Sequence, residues 1–213
     1  MALLQVALDF LRIGETLRVA EATQDYVDII EAGTPLIKSV GIRIVETLKK
    51  NFQIKQIFAD LKIMDAGALE AKMAFEAGAD MISVCVQASV ETIAGAIEET
   101  RRQNKKVVID LIGSRDWLSS SKETRHLSPN FFCIHTGLDE QMRGKKPFGV
   151  LDGFVKEINL PYCIAGGITP GDIPFIMPFN PSIIIVGGYI TKAERPGEAA
   201  KTIREVMGSW RHV

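Results

Sequence analysis

Apolar and polar positions follow two periods along the chain. Short, nearly all-apolar runs rich in β-branched residues occur at Leu4 to Leu8, Tyr26 to Glu31, Gln56 to Asp60, Met81 to Val86, Lys106 to Leu111, Phe131 to His135, Pro161 to Ala165 and Ser182 to Val186. Each has the length of a strand, and runs without polar alternation belong to parallel strands covered on both faces. Between them, Arg12 to Ala22, Val40 to Lys50, Ala68 to Glu76, Val90 to Gln103, Phe148 to Glu157 and Glu198 to Trp210 space their apolar residues three and four apart among Glu, Lys, Arg and Gln. That is the pattern of helices with one buried face. Gly78, after Glu76-Ala77, reads as a left-handed helix end.

The eight runs begin 21 to 30 residues apart, which is room for one strand, one helix and two loops. Eight such units in 213 residues predict an α/β protein, a (β/α)8 TIM barrel, with residues 1–213 as a single domain. Two segments fit the periods poorly. Ser114 to Asn130 reads equally well as a loop or a helix, and Thr169 to Asn180 contains three prolines and has room only for a short helix.

Composition narrows the classes further. With 46% hydrophobic and 24% charged residues the chain can fill a core, which excludes disordered and fibrous classes. A formal net charge of -1 without runs of one sign gives no footprint for nucleic acid or a membrane surface. The longest apolar stretches fall far short of the ~20 residues a spanning helix needs, and Met1 to Gln5 lacks a basic leader region, so a cytoplasmic location is expected. Cys85, Cys133 and Cys163 are each embedded in an apolar run and read as buried free thiols.

In a (β/α)8 barrel the chemistry belongs at the carboxyl ends of the strands. Here those ends carry Asp9, Glu31, Asp60 with Lys62 and Asp65, Gln87, Asp110, His135, and the glycine pairs Gly166-Gly167 and Gly187-Gly188. Turns favour Asp and Gly in any protein. Several carboxylates, a lysine and a histidine at one mouth nevertheless need a cation or a substrate to compensate them. In Asp60-Leu61-Lys62-Ile63-Met64-Asp65, two-residue spacing points Asp60 and Lys62 the same way, while Asp65 begins the next loop or helix. An ammonium held between two carboxylates stays protonated and can stabilise a developing oxyanion; the plainer alternative is a salt-bridge cluster.

Glu31 and Asp60, on neighbouring strands, offer two hard oxygen ligands to Mg²⁺, which usually keeps its other positions for water or substrate. Tyr26 to Ile30 supplies Glu31 with no evident structural partner. The two glycine pairs lie where barrels of this kind bind phosphate through backbone N–H groups, so a phosphorylated substrate is expected. The absence of a GxGxxG or P-loop pattern argues against a dinucleotide or nucleoside triphosphate. His135 is a candidate proton carrier near neutral pH. His126 and His212 lie in polar surroundings and carry no expected role.

Val6-Ala7-Leu8-Asp9, Asp28 to Pro35, Ala59 to Gly67, His135-Thr136-Gly137, Ala165 to Ile168 and Val186-Gly187-Gly188 resemble the 3-hexulose-6-phosphate synthases of the orotidine 5'-phosphate decarboxylase superfamily. The likeness spans essentially the whole chain, and the Asp-x-Lys-x-x-Asp core is specific for the superfamily. It implies a Mg²⁺-dependent lyase, an aldolase that reversibly condenses D-ribulose 5-phosphate with formaldehyde to D-arabino-hex-3-ulose 6-phosphate through a 1,2-enediolate. Glu31 and Asp60 would hold the metal. Lys62, kept cationic by Asp60 and Asp65, would stabilise the enediolate, and either His135 or Asp110 would move the proton. Asp9 and the glycine pairs would bind substrate. A homodimer is implied in which Asp65 reaches the neighbouring subunit's site.

The alternative is 3-keto-L-gulonate 6-phosphate decarboxylation through the same enediolate, or a non-catalytic phosphate-binding barrel. His135-Thr136-Gly137 without a following Arg, Asp110 in place of Glu, and Gly188 in place of a phosphate-binding Arg favour the synthase. Ala66-Gly67 departs from the extended motif of orotidine phosphate decarboxylase itself. The segment Gly113 to Trp117 with its serine run, and Tyr189 after Gly188, depart from the usual synthase pattern.

Overall fold

The computed structural model describes residues 2–210, and His212 lies outside the described residues. Eight parallel strands pair in chain order: β1 (Leu3–Leu8), β2 (Ile29–Ala32), β3 (Gln56–Ile63), β4 (Met81–Cys85), β5 (Lys106–Asp110), β6 (Phe131–His135), β7 (Tyr162–Ala165) and β8 (Ile183–Val186). β8 pairs back onto β1, so the sheet closes into the (β/α)8 barrel that the spacing predicts. The outer layer contains α1 (Ile13–Thr23), α2 (Thr34–Val40), α3 (Arg43–Asn51), α4 (Gly67–Glu76), α5 (Val90–Arg102), α6 (Trp117–Thr124), α7 (Leu138–Gln141), α8 (Leu151–Ile158), α9 (Ile173–Ile176), α10 (Gly188–Thr191) and α11 (Pro196–Ser209).

The strands bury both faces. Ile30, Ile57, Ala59, Val107, Ile109, Phe132, Ile134, Ile164 and Ile184 pack with helix residues such as Val19, Leu36 and Phe154. Their strand neighbours Ile29, Phe58, Met81, Val108, Cys133, Cys163 and Ile183 form a separate, smaller cluster that plugs the barrel interior. Because strand side chains alternate, the next inward position lies two residues further toward the carboxyl end. Those positions are Glu31, Asp60, Ser83, Asp110 and His135. The polar groups therefore sit directly above an apolar plug, one layer below the mouth.

Several element boundaries differ from the sequence expectation. The helix expected over Val40 to Lys50 begins at Arg43 as α3, and Val40 instead ends a separate helix, α2, because Gly41 adopts φ 79° and its N–H closes α2 on the Ile37 carbonyl. Tyr26 to Asp28 lie outside β2: the Tyr26 N–H still bonds the Thr23 carbonyl, and the Asp28 carboxylate takes the Leu4 N–H and the Arg204 guanidinium. β3 runs past Asp60 to Ile63, with a register shift against β4 between Ala59 and Ile63. Residues 114–130 contain α6, capped by the Asp116 carboxylate on the Ser119 N–H at 3.0 Å, and a 3-10 turn over Arg125–Leu127. Pro147–Val150 form a 3-10 turn ahead of α8, so the helix expected from Phe148 starts at Leu151. Gly78, as predicted, ends α4 in a positive-φ conformation, φ 100°.

Candidate active site

Lys62 occupies the centre of the site. It stands at φ 48°, inside the shifted part of β3, so strict strand alternation does not deliver its side chain. Its backbone N–H donates to Ser83 Oγ at 2.9 Å, and Ser83 Oγ donates to Asp60 Oδ1 at 2.6 Å. The ammonium bonds Asp60 Oδ2 and lies 3.6 Å from Asp110 Oδ2. Burial opposes its charge, yet Asp60 and Asp110 outweigh that and hold the ammonium well above the ordinary lysine value. The two flanking carboxylates are thus Asp60 and Asp110. Asp65, expected in that role, is exposed in the loop before α4 and accepts the Ala66 N–H at 2.7 Å.

Buried Asp110 and partly exposed His135 pair across β5 and β6, with His135 Nδ1 at 2.9 Å from Asp110 Oδ2 and 3.1 Å from Oδ1. Asp110 Oδ1 also accepts the Ile112 N–H at 2.9 Å. Burial works to raise the Asp110 pKa, but the imidazole, Lys62 and the Ile112 N–H together hold it below the ordinary value. Burial likewise works to lower His135, and Asp110 overrides it, leaving the imidazole above its ordinary value. Nδ1 of the imidazole is thus held by the Asp110 carboxylate, an arrangement suited to a group that gives or takes a proton as its surroundings change.

Glu31 is fully enclosed, and the sequence concealed its partner: Gln5, inward-facing on β1, donates Nε2 to Glu31 Oε2 at 2.5 Å. Burial, reinforced by Asp60 and then Asp9, holds the Glu31 carboxyl well above the ordinary range. Asp9 is raised by burial and Asp60. Gly33 makes room for it, since a Cβ there would stand 2.1 Å from Asp9 Oδ1. Thr34 Oγ1 at the start of α2 donates to the Asp60 carbonyl at 2.6 Å and to Asp60 Oδ2 at 2.9 Å. The sequence pattern singles out neither Gln5 nor Ser83, and it includes Thr34 only within the stretch Asp28 to Pro35. The available signal was Gln5 and Ser83 as the lone polar residues within otherwise apolar β1 and β4.

The donors fit a hard divalent cation. Glu31 and Asp60 are carboxylates on adjacent strands. Asp60 Oδ1 accepts one hydrogen bond, so a lone pair remains. Among the described residues, Gln5 Oε1 is a buried oxygen without a hydrogen-bond partner. A cation here would offset the burial and the repulsion from Asp60 and Asp9 that raise the Glu31 carboxyl.

Gly166 and Gly167 leave β7 with φ 118° and 65°, and a Cβ at Gly166 would stand 2.6 Å from the Thr136 carbonyl. Only glycine suits that turn. Gly187 and Gly188 leave β8 into α10. Both pairs therefore end strands at the same mouth as the charged cluster. Gln87 is exposed and donates to the Ile112 carbonyl at 2.5 Å, a contact that ties two loops together. All three cysteines are buried and free. Among the described residues no helix is long and apolar enough to cross a membrane.

Over its whole length the chain is similar to named relatives. The chain is 42% identical over 207 residues to the 3-hexulose-6-phosphate synthase of Mycobacterium gastri, covering 96% of this chain and 99% of that protein. A crystal structure of 3-hexulose-6-phosphate synthase from Salmonella typhimurium superposes with a TM-score of 0.93 at 33% identity, covering 96% and 98% of the two chains. A 3-keto-L-gulonate-6-phosphate decarboxylase from Vibrio cholerae O1 biovar El Tor str. N16961 superposes at 0.87 with 28% identity, covering 99% of each chain. A family model described as "Orotidine 5'-phosphate decarboxylase / HUMPS family" matches residues 2–203, and the chain belongs to that family.

Proposed function

We propose that this chain is a Mg²⁺-dependent aldehyde-lyase that joins D-ribulose 5-phosphate to formaldehyde, giving D-arabino-hex-3-ulose 6-phosphate, and that the reaction runs in both directions. The observation that carries the reading is the Lys62 ammonium fixed between Asp60 and Asp110, with the His135–Asp110 pair beside it. The naming of relatives at up to 42% identity supports synthase over decarboxylase, whose named structural neighbour stands at 28%.

Glu31 and Asp60 would hold the metal, which when bound polarises the ketone and neighbouring hydroxyl oxygens of the sugar. With Nδ1 tied to Asp110, His135 has Nε2 left to take the C1 proton. Lys62 then balances the negative charge that spreads over the enediolate oxygens. The enediolate C1 forms its bond to the formaldehyde carbon, and the aldehyde oxygen accepts a proton from the imidazolium to become the new hydroxymethyl group. Backbone N–H groups after Gly166 and Gly187 would anchor the phosphate, with Asp9 oriented by Gly33 toward the sugar hydroxyls. The protein would act as a cytoplasmic homodimer, with Asp65 of one subunit completing the site of the other. Its near-neutral charge supports no nucleic-acid or membrane partner.

Purified protein with Mg²⁺ is given ribulose 5-phosphate plus formaldehyde in one assay and 3-keto-L-gulonate 6-phosphate in another. Formaldehyde consumption supports the synthase. CO₂ release alone favours the decarboxylase, and turnover of neither substrate supports a binding barrel. Lys62→Ala is expected to lower kcat by at least about 10²-fold, in line with loss of an electrostatic stabiliser, and near-normal turnover of that variant would refute the mechanism.

A further inference from the structure

Among the described residues, one group of three potential metal ligands has its donor atoms all within 4.8 Å of one another: an oxygen of Asp110, a nitrogen of His135 and the Sγ of Cys133. This group is distinct from the Glu31–Asp60 pair. We propose that it is a second cation site, inhibitory, for a thiophilic divalent ion of the Zn²⁺ or Cd²⁺ type.

The sheet builds the group. Cys133 and His135 are two residues apart on β6 and face the same side, and Asp110 on β5 is the direct Cα partner of Cys133. All three therefore project into the barrel interior from a rigid part of the fold. Thiolate, imidazole and carboxylate are the donors zinc prefers, and three protein ligands leave the fourth tetrahedral position open. Magnesium, which takes oxygen donors and resists a thiolate, is not suited to the group. The His135 side chain is 20% exposed, so an ion can arrive through the mouth.

The Cys133 thiol gives up its proton to solvent on binding, so its thiolate and the Asp110 carboxylate, which lies 3.6 Å from Lys62, together match the two positive charges of the ion. Binding requires the His135 Nδ1–Asp110 contact to open, since both groups turn to the ion. That removes the proton carrier of the proposed reaction. The coordination is independent of that reaction, and only the inhibitory consequence rests on it.

Co²⁺ added to the 213-residue chain, with saturating Mg²⁺ and no substrate, should give a thiolate-to-cobalt charge-transfer band that saturates at one equivalent. Cys133→Ser and Cys133→Ala should abolish the band, whereas Cys85→Ser and Cys163→Ser should retain it. Zn²⁺ should inhibit the wild type, and the Cys133 variants, with basal turnover intact, should require at least about tenfold more Zn²⁺, the usual scale for loss of a metal-site contact. Absence of the band, or its persistence without Cys133, overturns the site. Equal Zn²⁺ sensitivity of wild type and variants, or a band without inhibition, overturns the inhibitory role. A Cd²⁺-soaked wild-type crystal decides without any variant: an anomalous peak among the three side chains supports the site, and one at Glu31 and Asp60 alone refutes it.

Discussion

Lys62 at φ 48° adopts a backbone conformation that costs a non-glycine residue about 1–3 kcal/mol, and Ser83 is the group that secures it. Ser83 accepts the Lys62 N–H and donates to Asp60, so one hydroxyl fixes both the bulge and the carboxylate. Ser83→Ala leaves a buried N–H and a carboxylate oxygen each short of a partner, a loss of about 1–3 kcal/mol. A small misplacement of a catalytic group can cost on the order of 10²-fold in rate, so kcat should fall while KM changes little. Thermal unfolding and steady-state kinetics together check this. A stability loss with kcat untouched would leave Ser83 a structural residue only.

The Asp110–His135 pair sets a pH window. Asp110 is held below its ordinary value of 3.8, so its contribution to stability is present above that pH and is lost as pH falls through the lowered value. His135 is held above its ordinary 6.5, so its contribution is complete below 6.5 and is lost as pH rises through the raised value. Unfolding free energy from urea titrations should therefore be highest from about pH 4 to 6.5 as far as this pair is concerned. His135→Asn should flatten the alkaline fall. An identical pH profile in the variant would refute the assignment.

At the scale of elements, α4 and α5 meet so closely that backbone touches backbone. A Cβ on Gly67 would stand 1.9 Å from the Thr92 carbonyl oxygen and 3.0 Å from the Ala96 nitrogen. Neither atom can swing away as a side chain would, so Gly67→Ala must separate the helices. Overpacking of this kind costs about 1–3 kcal/mol or more, and the urea midpoint should drop with an unchanged slope. An unshifted midpoint would show that α4 is free to move.

What the sequence disclosed follows the same physics. The strands were legible because both faces of β2, β4, β5 and β6 are largely buried, and their nearly all-apolar runs say so. The break at Gly41 was hidden because the helical period runs through it from Leu36 to Leu48, and a single left-handed residue changes no period. Glu31, Asp60, Asp110 and His135 were legible because each is the last inward residue of an apolar run. Lys62's partnership with Asp110 was not, since it depends on a bulge and on the register between strands 48 positions apart in sequence. Gln5 and Thr34 reach their partners from other elements for the same reason.

At the scale of the molecule, Asp65 remains without a place in its own subunit's cluster. Its charge is felt instead by Glu70 on α4, whose carboxyl is raised by burial and then by Asp65. Around it the surface is apolar: Met64 is 53% exposed, and Leu69 and Met73, one turn apart on α4, are 61% and 46% exposed. Val90, at the start of the adjoining α5, is 51% exposed. Such residues suit an association surface, and a two-fold dimer through them would carry each Asp65 toward the partner. Leu69→Glu combined with Met73→Glu should give monomers by light scattering, with activity lost although Lys62 is intact. Lys62→Ala and Asp65→Asn homodimers should both be nearly inactive. A heterodimer of the two, isolated through a different tag on each subunit, contains one doubly damaged site and one with both residues intact. It should regain about half the wild-type activity, because a two-fold dimer has two equivalent sites. A heterodimer no more active than its parents would mean that Asp65 serves its own subunit or no site at all.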